Sequence, residues 1–318
     1  MKREDLIRLS EATFFNNDEG LINPTEHREF NEAVIDYIDA GRPATYIVDS
    51  DQALNDWANI VAGNNYKHVL IKPGTYTTNK TIDLEETGTL TVVGMGGSKI
   101  ISTASHGIVG YKGNMDVSLI GVNIEVRGGQ YAFDSCANLI KCMGIIKYSS
   151  SADCACFNDC QYLTSCYANC LNSAANTCCF KNCQYVTNCY GYSKGTSANS
   201  FGRCYYLCQY LTNCAGYSDS AGHVSCFESC ENLNNCVGVS NASMIGENSL
   251  AFYKCKKMFG CSGKGVAISI GYAFSECRCM FGCQKFQENS TTGIYDDCHM
   301  TQVGESPVSD TAEGGYNW

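Results

Sequence analysis

The chain predicts an all-β solenoid, a parallel β-helix preceded by a short α-helical N-terminal region. Three observations carry that prediction. A unit of aromatic-x-x-Cys-x-x-apolar-x-x-Cys-x-Gly recurs along the second half. Its aromatics are Phe133, Phe157, Phe180, Tyr205, Phe227, Phe252, Phe274 and Tyr295, spaced 21 to 25 residues apart. All 23 cysteines lie between Cys136 and Cys298, and 19 of them fall in three aligned columns. Glycine is plentiful at 31, proline scarce at 4 and charged residues only 17%, which suits stacked strands and tight turns better than helical bundles. A unit this short cannot bury its own apolar face, so its copies must stack on one another.

The columns define the predicted interior. The first cysteine column is Cys136, Cys160, Cys183, Cys208, Cys230, Cys255, Cys277 and Cys298; the second is Cys142, Cys166, Cys189, Cys214, Cys236, Cys261 and Cys283. Between them runs an apolar column of Leu139, Leu163, Val186, Leu211, Leu233, Met258 and Met280. Just before seven of the eight aromatics stands a small residue: Ala132, Cys156, Cys179, Cys204, Cys226, Ala251 or Ala273. Equivalent positions of successive coils sit ~4.8 Å apart, and free cysteine is a small apolar side chain that fills a narrow interior without void. Stacked structural thiols are therefore the leading reading. Disulfides between coils need exacting geometry. A metal site would have to be built from Cys154-Ala-Cys156 or Cys277-Arg-Cys279, without a paired CxxC or a histidine cluster. Asn188, Asn213 and Asn235 directly precede second-column cysteines, and asparagine tolerates left-handed backbone, so a corner ladder is expected there. The direction of the aromatic column stays open, because it lies beside a column assigned to the interior.

Upstream, residues 1–66 are free of cysteine and read as helical. Asn23-Pro24-Thr25-Glu26 is a helix start, Phe30, Ala33, Val34, Tyr37 and Ile38 follow helical spacing, and Gly41 ends the run. A second helix begins near Ser50, carries Leu54, Trp57, Ala58 and Val61, and stops at Gly63. His68 to Tyr76 is a strand followed by a turn, with further strands at 89–93, 99–102 and 117–126. Gly94-Met95-Gly96-Gly97 sits between strands and reads as a turn, not as a phosphate cradle.

These residues carry a resemblance. A short helix, then VLIKPGTY, TIDL and TLTVVGMGGSKI, resembles the first coils of pectate-lyase-like right-handed parallel β-helix proteins, and the Cys-x-Gly repeats resemble later coils of bacterial and bacteriophage members. ATFFNNDEGLINPTEHREFNEAVIDYI (Ala12–Ile38) resembles the start of bacteriophage tail-fibre and tailspike chains, and Thr311 to Asn317 is similar in flavour. The resemblance implies four parts: a helical attachment or oligomerisation region at 1–45, a helix cap and first coils at 46–130, Cys-rich repeats at 131–304 and a tail at 305–318. Relatives that cut polymers place carboxylates on one face. Here Asp134, Asp159, Glu228, Glu231, Glu276, Asp296 and Asp297 scatter, with no recurring pair. The histidines His27, His68, His106, His223 and His299 stand singly. The fold alone does not confer the activity, and no catalytic residue, metal or cofactor is assigned.

One outward column points to binding. Tyr162, Tyr185 and Tyr210 stand in consecutive copies, preceded by Gln161, Gln184 and Gln209; Tyr167 with Tyr190 and Tyr192 with Tyr217 form further pairs. Planar rings flanked by amides suit a sugar or a protein surface, although stacked tyrosines also stabilise adjacent strands by themselves. A net charge of −10 argues against nucleic acid as a partner. No stretch has the length and apolarity of a membrane span or a signal peptide. The expectation is a virion structural protein, a tail-fibre or spike-like rod assembled in the bacterial cytoplasm. Its implied partners are a host-surface glycan or receptor, other virion proteins and two further copies in a homotrimer, with no membrane. A polysaccharide lyase or hydrolase on the same fold is the alternative. A bacterial-surface leucine-rich solenoid adhesin is a third, disfavoured because Cys-x-Gly fills its usual strand slot and no proline occurs between Pro73 and Pro307.

Overall fold

A computed structural model of the chain describes residues 45–60, 68–84, 89–111, 117–149, 153–172, 176–195, 200–243, 247–267, 270–285, 295–296 and 299–300. The expected first helix, the attachment region, Cys298 and the tail lie outside these residues. The described chain winds into a parallel β-solenoid of three sheets. After a first strand β1 (Thr45–Val48) and a helix α1 (Asp51–Ile60), the first coil is β2 (His68–Ile71), β3 (Gly74–Thr78) and β4 (Ile82–Asp83). Every later coil repeats that order. β1 and β2 open sheet I, which has twelve strands; β3 and β4 open sheets II and III, of ten strands each. A leucine-rich solenoid, by contrast, pairs one strand per repeat with a helical segment, so three sheets set that reading aside.

The helix closes one end of the solenoid. Ser50 caps it, its Oγ accepting the Ala53 N–H at 3.1 Å. Asp51 Oδ1 accepts the Thr77 N–H at 2.8 Å, tying the helix to β3. α1 packs on β1, β3 and β4, and Leu54 and Trp57 join the single apolar core. The end strands of sheets II and III are thereby covered. The segment 117–126, read from sequence as one strand, is two: Val117–Ile120 in sheet I and Asn123–Arg127 in sheet II. Gly121 forms the corner at φ +63°. Likewise Tyr76 belongs to β3, not to the turn after β2.

The cysteine motif is a set of corners. In each of seven coils three residues, three positions apart, take left-handed backbone: the residue before the first cysteine, the residue two after it and the residue before the second. In one coil these are Asn182 (φ 54°), Tyr185 (φ 56°) and Asn188 (φ 53°). The expected asparagine corner is present at Asn188, Asn213 and Asn235. Left-handed backbone costs about 1–2 kcal/mol for an ordinary residue. Asn, Asp, Ser and Gly at many of these positions reduce that cost, while Tyr162, Leu207 and Lys254 bear it. Backbone pairing continues through the bends: Gln184 N–H donates to Cys160 O at 3.0 Å and Tyr190 N–H to Cys166 O at 3.0 Å.

Each corner cysteine is buried, with the aromatic column beside it. Phe133, Phe157, Phe180, Tyr205, Phe227, Phe252 and Phe274 are all fully buried. They form one stack, with ring centroids 4.6–5.1 Å apart. The column left open by the sequence thus points inward, beside an inward Cys156 or Cys179. First-column thiols lie near the carbonyl of the aromatic one coil earlier: Cys183 Sγ to Phe157 O at 3.5 Å, Cys208 to Phe180 at 3.3 Å and Cys255 to Phe227 at 3.4 Å. Second-column thiols do the same for the apolar column, as in Cys214 Sγ to Val186 O at 3.3 Å. Cysteine therefore combines a small apolar volume with a weak donor for a carbonyl at the bend. Burial holds the Cys166, Cys183 and Cys230 thiols well above their ordinary value, whereas at Cys204 and Cys255 hydrogen bonds from neighbouring thiols outweigh burial and lower it; what shields all of them from reagents is their burial. Among the described residues Cys279 is the exposed cysteine. A bulky alkylating reagent, too large to enter the interior, should modify Cys279 quickly in the native protein and the other described cysteines only after denaturant is added. Fast modification of many sites in the native state would contradict this interior.

The motif glycine completes the packing. Gly144, Gly191, Gly216, Gly238 and Gly263, with Ala168, form a column on sheet II that faces the small column on sheet III. A Cβ on Gly191 would stand 3.1 Å from both the Cys179 and the Cys204 Cβ. Successive first-to-second cysteine spacings are constant at six residues, so differences in coil length fall between sheets II and III.

Candidate functional site

The predicted tyrosine column lies on the outer side of sheet I. Tyr162, Tyr185 and Tyr210 are 40%, 42% and 47% exposed. They stack face to face at 4.8 and 4.9 Å, nearly parallel. Gln161, Gln184 and Gln209 run beside them in register, and Gln161 Nε2 donates to Gln184 Oε1 at 3.3 Å. This arrangement limits the chemistry. Both faces of Tyr185 and the inner faces of Tyr162 and Tyr210 are covered by neighbouring rings, so along the ladder edges and hydroxyls are what a ligand mostly reaches. The ladder gives edge-on polar contact and little room for a sugar to stack on a ring. Tyr167–Tyr190 at 5.5 Å and Tyr192–Tyr217 at 5.7 Å stack in the same way on sheet II.

The outer side of sheet III is different. Its central column runs in register through Tyr131, Ala155, Cys178, Arg203, Ser225, Leu250 and Tyr272, so small buried residues such as Ala155 and Ser225, 0% and 5% exposed, alternate with large ones. Larger side chains rise along this column and beside it. Over the later coils they enclose a depression of about 420 Å³ lined by Phe201, Arg203, His223, Glu228, Asn248, Tyr253 and Tyr272. Arg203 is the centre of this arrangement. Its Nε donates to Glu228 Oε2 at 2.6 Å, and its guanidinium lies 5.0 Å from the Phe201 ring and 4.6 Å from the Tyr206 ring. Burial would lower its pKa, but the Glu228 carboxylate outweighs that and raises it, so the charge is permanent. Glu228 also accepts from Ser225 Oγ at 2.7 Å. His223 stacks on Phe201 at 5.4 Å and faces Glu247 at 3.1 Å.

On earlier coils the same side holds carboxylates that the sequence reading left scattered. Asn158 Nδ2 donates to Asp134 Oδ1 at 2.8 Å and lies 3.2 Å from Asp159 Oδ2. Two acids from adjacent coils thus share one donor. Lys181 pairs with Asp153 beside them, and His106 stacks on Tyr131 at 5.2 Å. The pair escaped alignment because Asp134 and Asp159 occupy different motif positions, one just after the aromatic and one just before the cysteine.

A third cluster stands on the outer side of sheet II. The Glu125 carboxylate is fully buried beneath Lys99 at 2.6 Å, Arg127 at 2.7 Å and Lys147 at 3.4 Å. Burial alone would raise its pKa, but the Lys99 and Arg127 hydrogen bonds and the Lys99 and Lys147 charges outweigh it and lower it to about 2. Glu125 therefore stabilises the fold fully above the unfolded carboxyl value near 4.5, and that contribution is lost as pH falls towards about 2. Glu125→Gln should destabilise the protein at pH 7 by about 3 kcal/mol, the low end for a broken buried pair because the three cations keep contact with water. The gap between variant and parent in urea midpoint should narrow below pH 4.5. A gap independent of pH would refute this role.

Among the described residues no three His, Cys, Asp or Glu side chains converge as metal ligands would. No helix among them is long and apolar enough to cross a membrane. No family model matches this chain and no curated protein sequence matches it, so its function is argued from the geometry of these faces.

Proposed function

We propose that this chain is a virion rod of the tail-fibre or spike kind, whose solenoid presents the outer side of sheet III to a carbohydrate of the host envelope. The observation that carries the reading is the depression around Arg203. Aromatic rings, a fixed cation, a carboxylate, an amide and a hydroxyl converge on one open hollow. Sugars are recognised by that combination, with apolar ring surface against C–H groups and paired polar atoms for hydroxyls. Residues 1–45 would attach the rod to other virion proteins and hold it as a homotrimer. The virion setting rests on the N-terminal resemblance.

The test is incubation of the purified full chain with a panel of bacterial envelope polysaccharides, following both binding and polymer length, with oligomeric size by light scattering. Binding of an unshortened polymer by a trimer supports the reading. No binding across the panel would sink it. Shortened polymer would favour a depolymerase instead. The shared donor of Asp134 and Asp159 supports that second reading, because it brings two carboxylates together on one face, as glycoside hydrolysis requires.

A further inference from the structure

The described cysteines do not all sit in the same relation to one another. Column neighbours occupy paired positions of parallel strands, where side chains run alongside each other ~4.8 Å apart. A disulfide needs Cβ atoms ~3.5–4.5 Å apart and converging, so column neighbours are poorly placed to bridge. Cys154 and Cys170 belong to no column pair. Cys154 lies on sheet III (Asp153–Asn158) and Cys170 on sheet II one coil later (Tyr167–Asn172). Both are fully buried, and their sulfurs face each other across the interior at 3.7 Å.

The next coil shows that this position is a cross-interior link in its own right. Cys154 pairs in register with Thr177 and Cys170 with Ser193. Thr177 Oγ1 and Ser193 Oγ are hydrogen-bonded at 2.9 Å. The same two sheet positions therefore meet side chain to side chain in consecutive coils, once through hydroxyls and once through thiols. Only the thiol pair can become covalent.

We infer that Cys154 and Cys170 form a latent disulfide that a peroxide closes, stapling sheet III of one coil to sheet II of the next. One thiol, as thiolate, attacks the peroxide O–O bond, giving a sulfenic acid and releasing water once the leaving oxygen is protonated. The second thiol displaces the sulfenic hydroxyl as another water. Two thiols and one hydrogen peroxide thus give one disulfide and two waters, sulfur being oxidised and peroxide oxygen reduced. Column neighbours elsewhere also touch thiol to thiol, but they run side by side on parallel strands ~4.8 Å apart and are the poorer candidates for a bridge.

The experiment treats the full native chain with hydrogen peroxide, alkylates it in denaturant and maps the cysteines by peptide mass spectrometry. The expected result is a Cys154–Cys170 cross-linked species ~2 Da lighter than the two thiols, with both sites unalkylated. Its unfolding midpoint should rise, and a dithiol reductant should reverse both effects. Cys170→Ser should abolish the link, while Cys156→Ser, two residues from Cys154 on the same strand, should keep it. Recovery of Cys154 and Cys170 both alkylated would overturn the inference, as would a dominant bridge between column neighbours. The map of the parent chain decides the matter even if a variant fails to fold.

Discussion

Phe180→Ala should destabilise the solenoid by about 4 kcal/mol, within the range for truncating a buried aromatic. Phe180 is fully buried and stacked between Phe157 at 4.9 Å and Tyr205 at 4.8 Å. The substitution removes the ring's own burial and two stacking contacts, each worth roughly 0.5–1.5 kcal/mol beyond area. The position lies mid-rod, where neighbouring coils depend on each other alone. The loss should therefore appear as a lower urea midpoint and a broader transition as the two halves uncouple. Tyr205→Phe is the contrast. It keeps the stack but loses the Tyr205 hydroxyl bond to Cys189 O at 2.8 Å, so about 1 kcal/mol is expected. A Phe180→Ala protein as stable as its parent would remove the aromatic ladder from the core.

Gly216→Val should be more damaging still, leaving little folded protein. A Cβ at Gly216 would stand 2.5 Å from Cys226 Sγ and 2.8 Å from the Cys204 Cβ, both inside the closed seam between sheets II and III. Inserting methyl groups into a packed core costs typically about 1–3 kcal/mol. Here backbone on both sides fixes the gap, so the upper end or beyond applies. Adding Cys226→Gly to Gly216→Val should restore part of the loss by reopening the space. Circular dichroism and soluble yield measure both. A well-folded Gly216→Val protein would show that the motif glycine is not set by this contact.

These sites show how far the repeat could be read. The Leu and Cys columns were legible because their residue type recurs at a fixed offset, and each recurring type marks a constant environment. The aromatic column was not assignable, because strand alternation puts adjacent residues on opposite faces. Cys156 and Phe157, adjacent in one strand and both fully buried, break that rule. The left-handed corners were legible at Asn188, Asn213 and Asn235, beside the second cysteine column, and hidden where Tyr185 or Lys254 fills them, since neither residue announces positive φ. The tyrosine ladder was visible as a column, yet the covering of its faces follows only from the ring spacing. The sheet III hollow was invisible for the opposite reason. Phe201, Arg203 and His223 lie outside the repeated motif, so no column reveals them, and registration across coils alone brings them together.

We propose that the outer side of sheet III, not the tyrosine ladder of sheet I, bears the ligand. Isothermal titration with the best-bound envelope polysaccharide tests it most directly, comparing Tyr272→Ala in the hollow with Tyr185→Ala on the ladder. We predict that Tyr272→Ala weakens binding about tenfold or more, as loss of an aromatic anchor does, while Tyr185→Ala changes it less than about twofold. Tight binding by Tyr272→Ala together with its loss in Tyr185→Ala would contradict the assignment and place the ligand on the ladder.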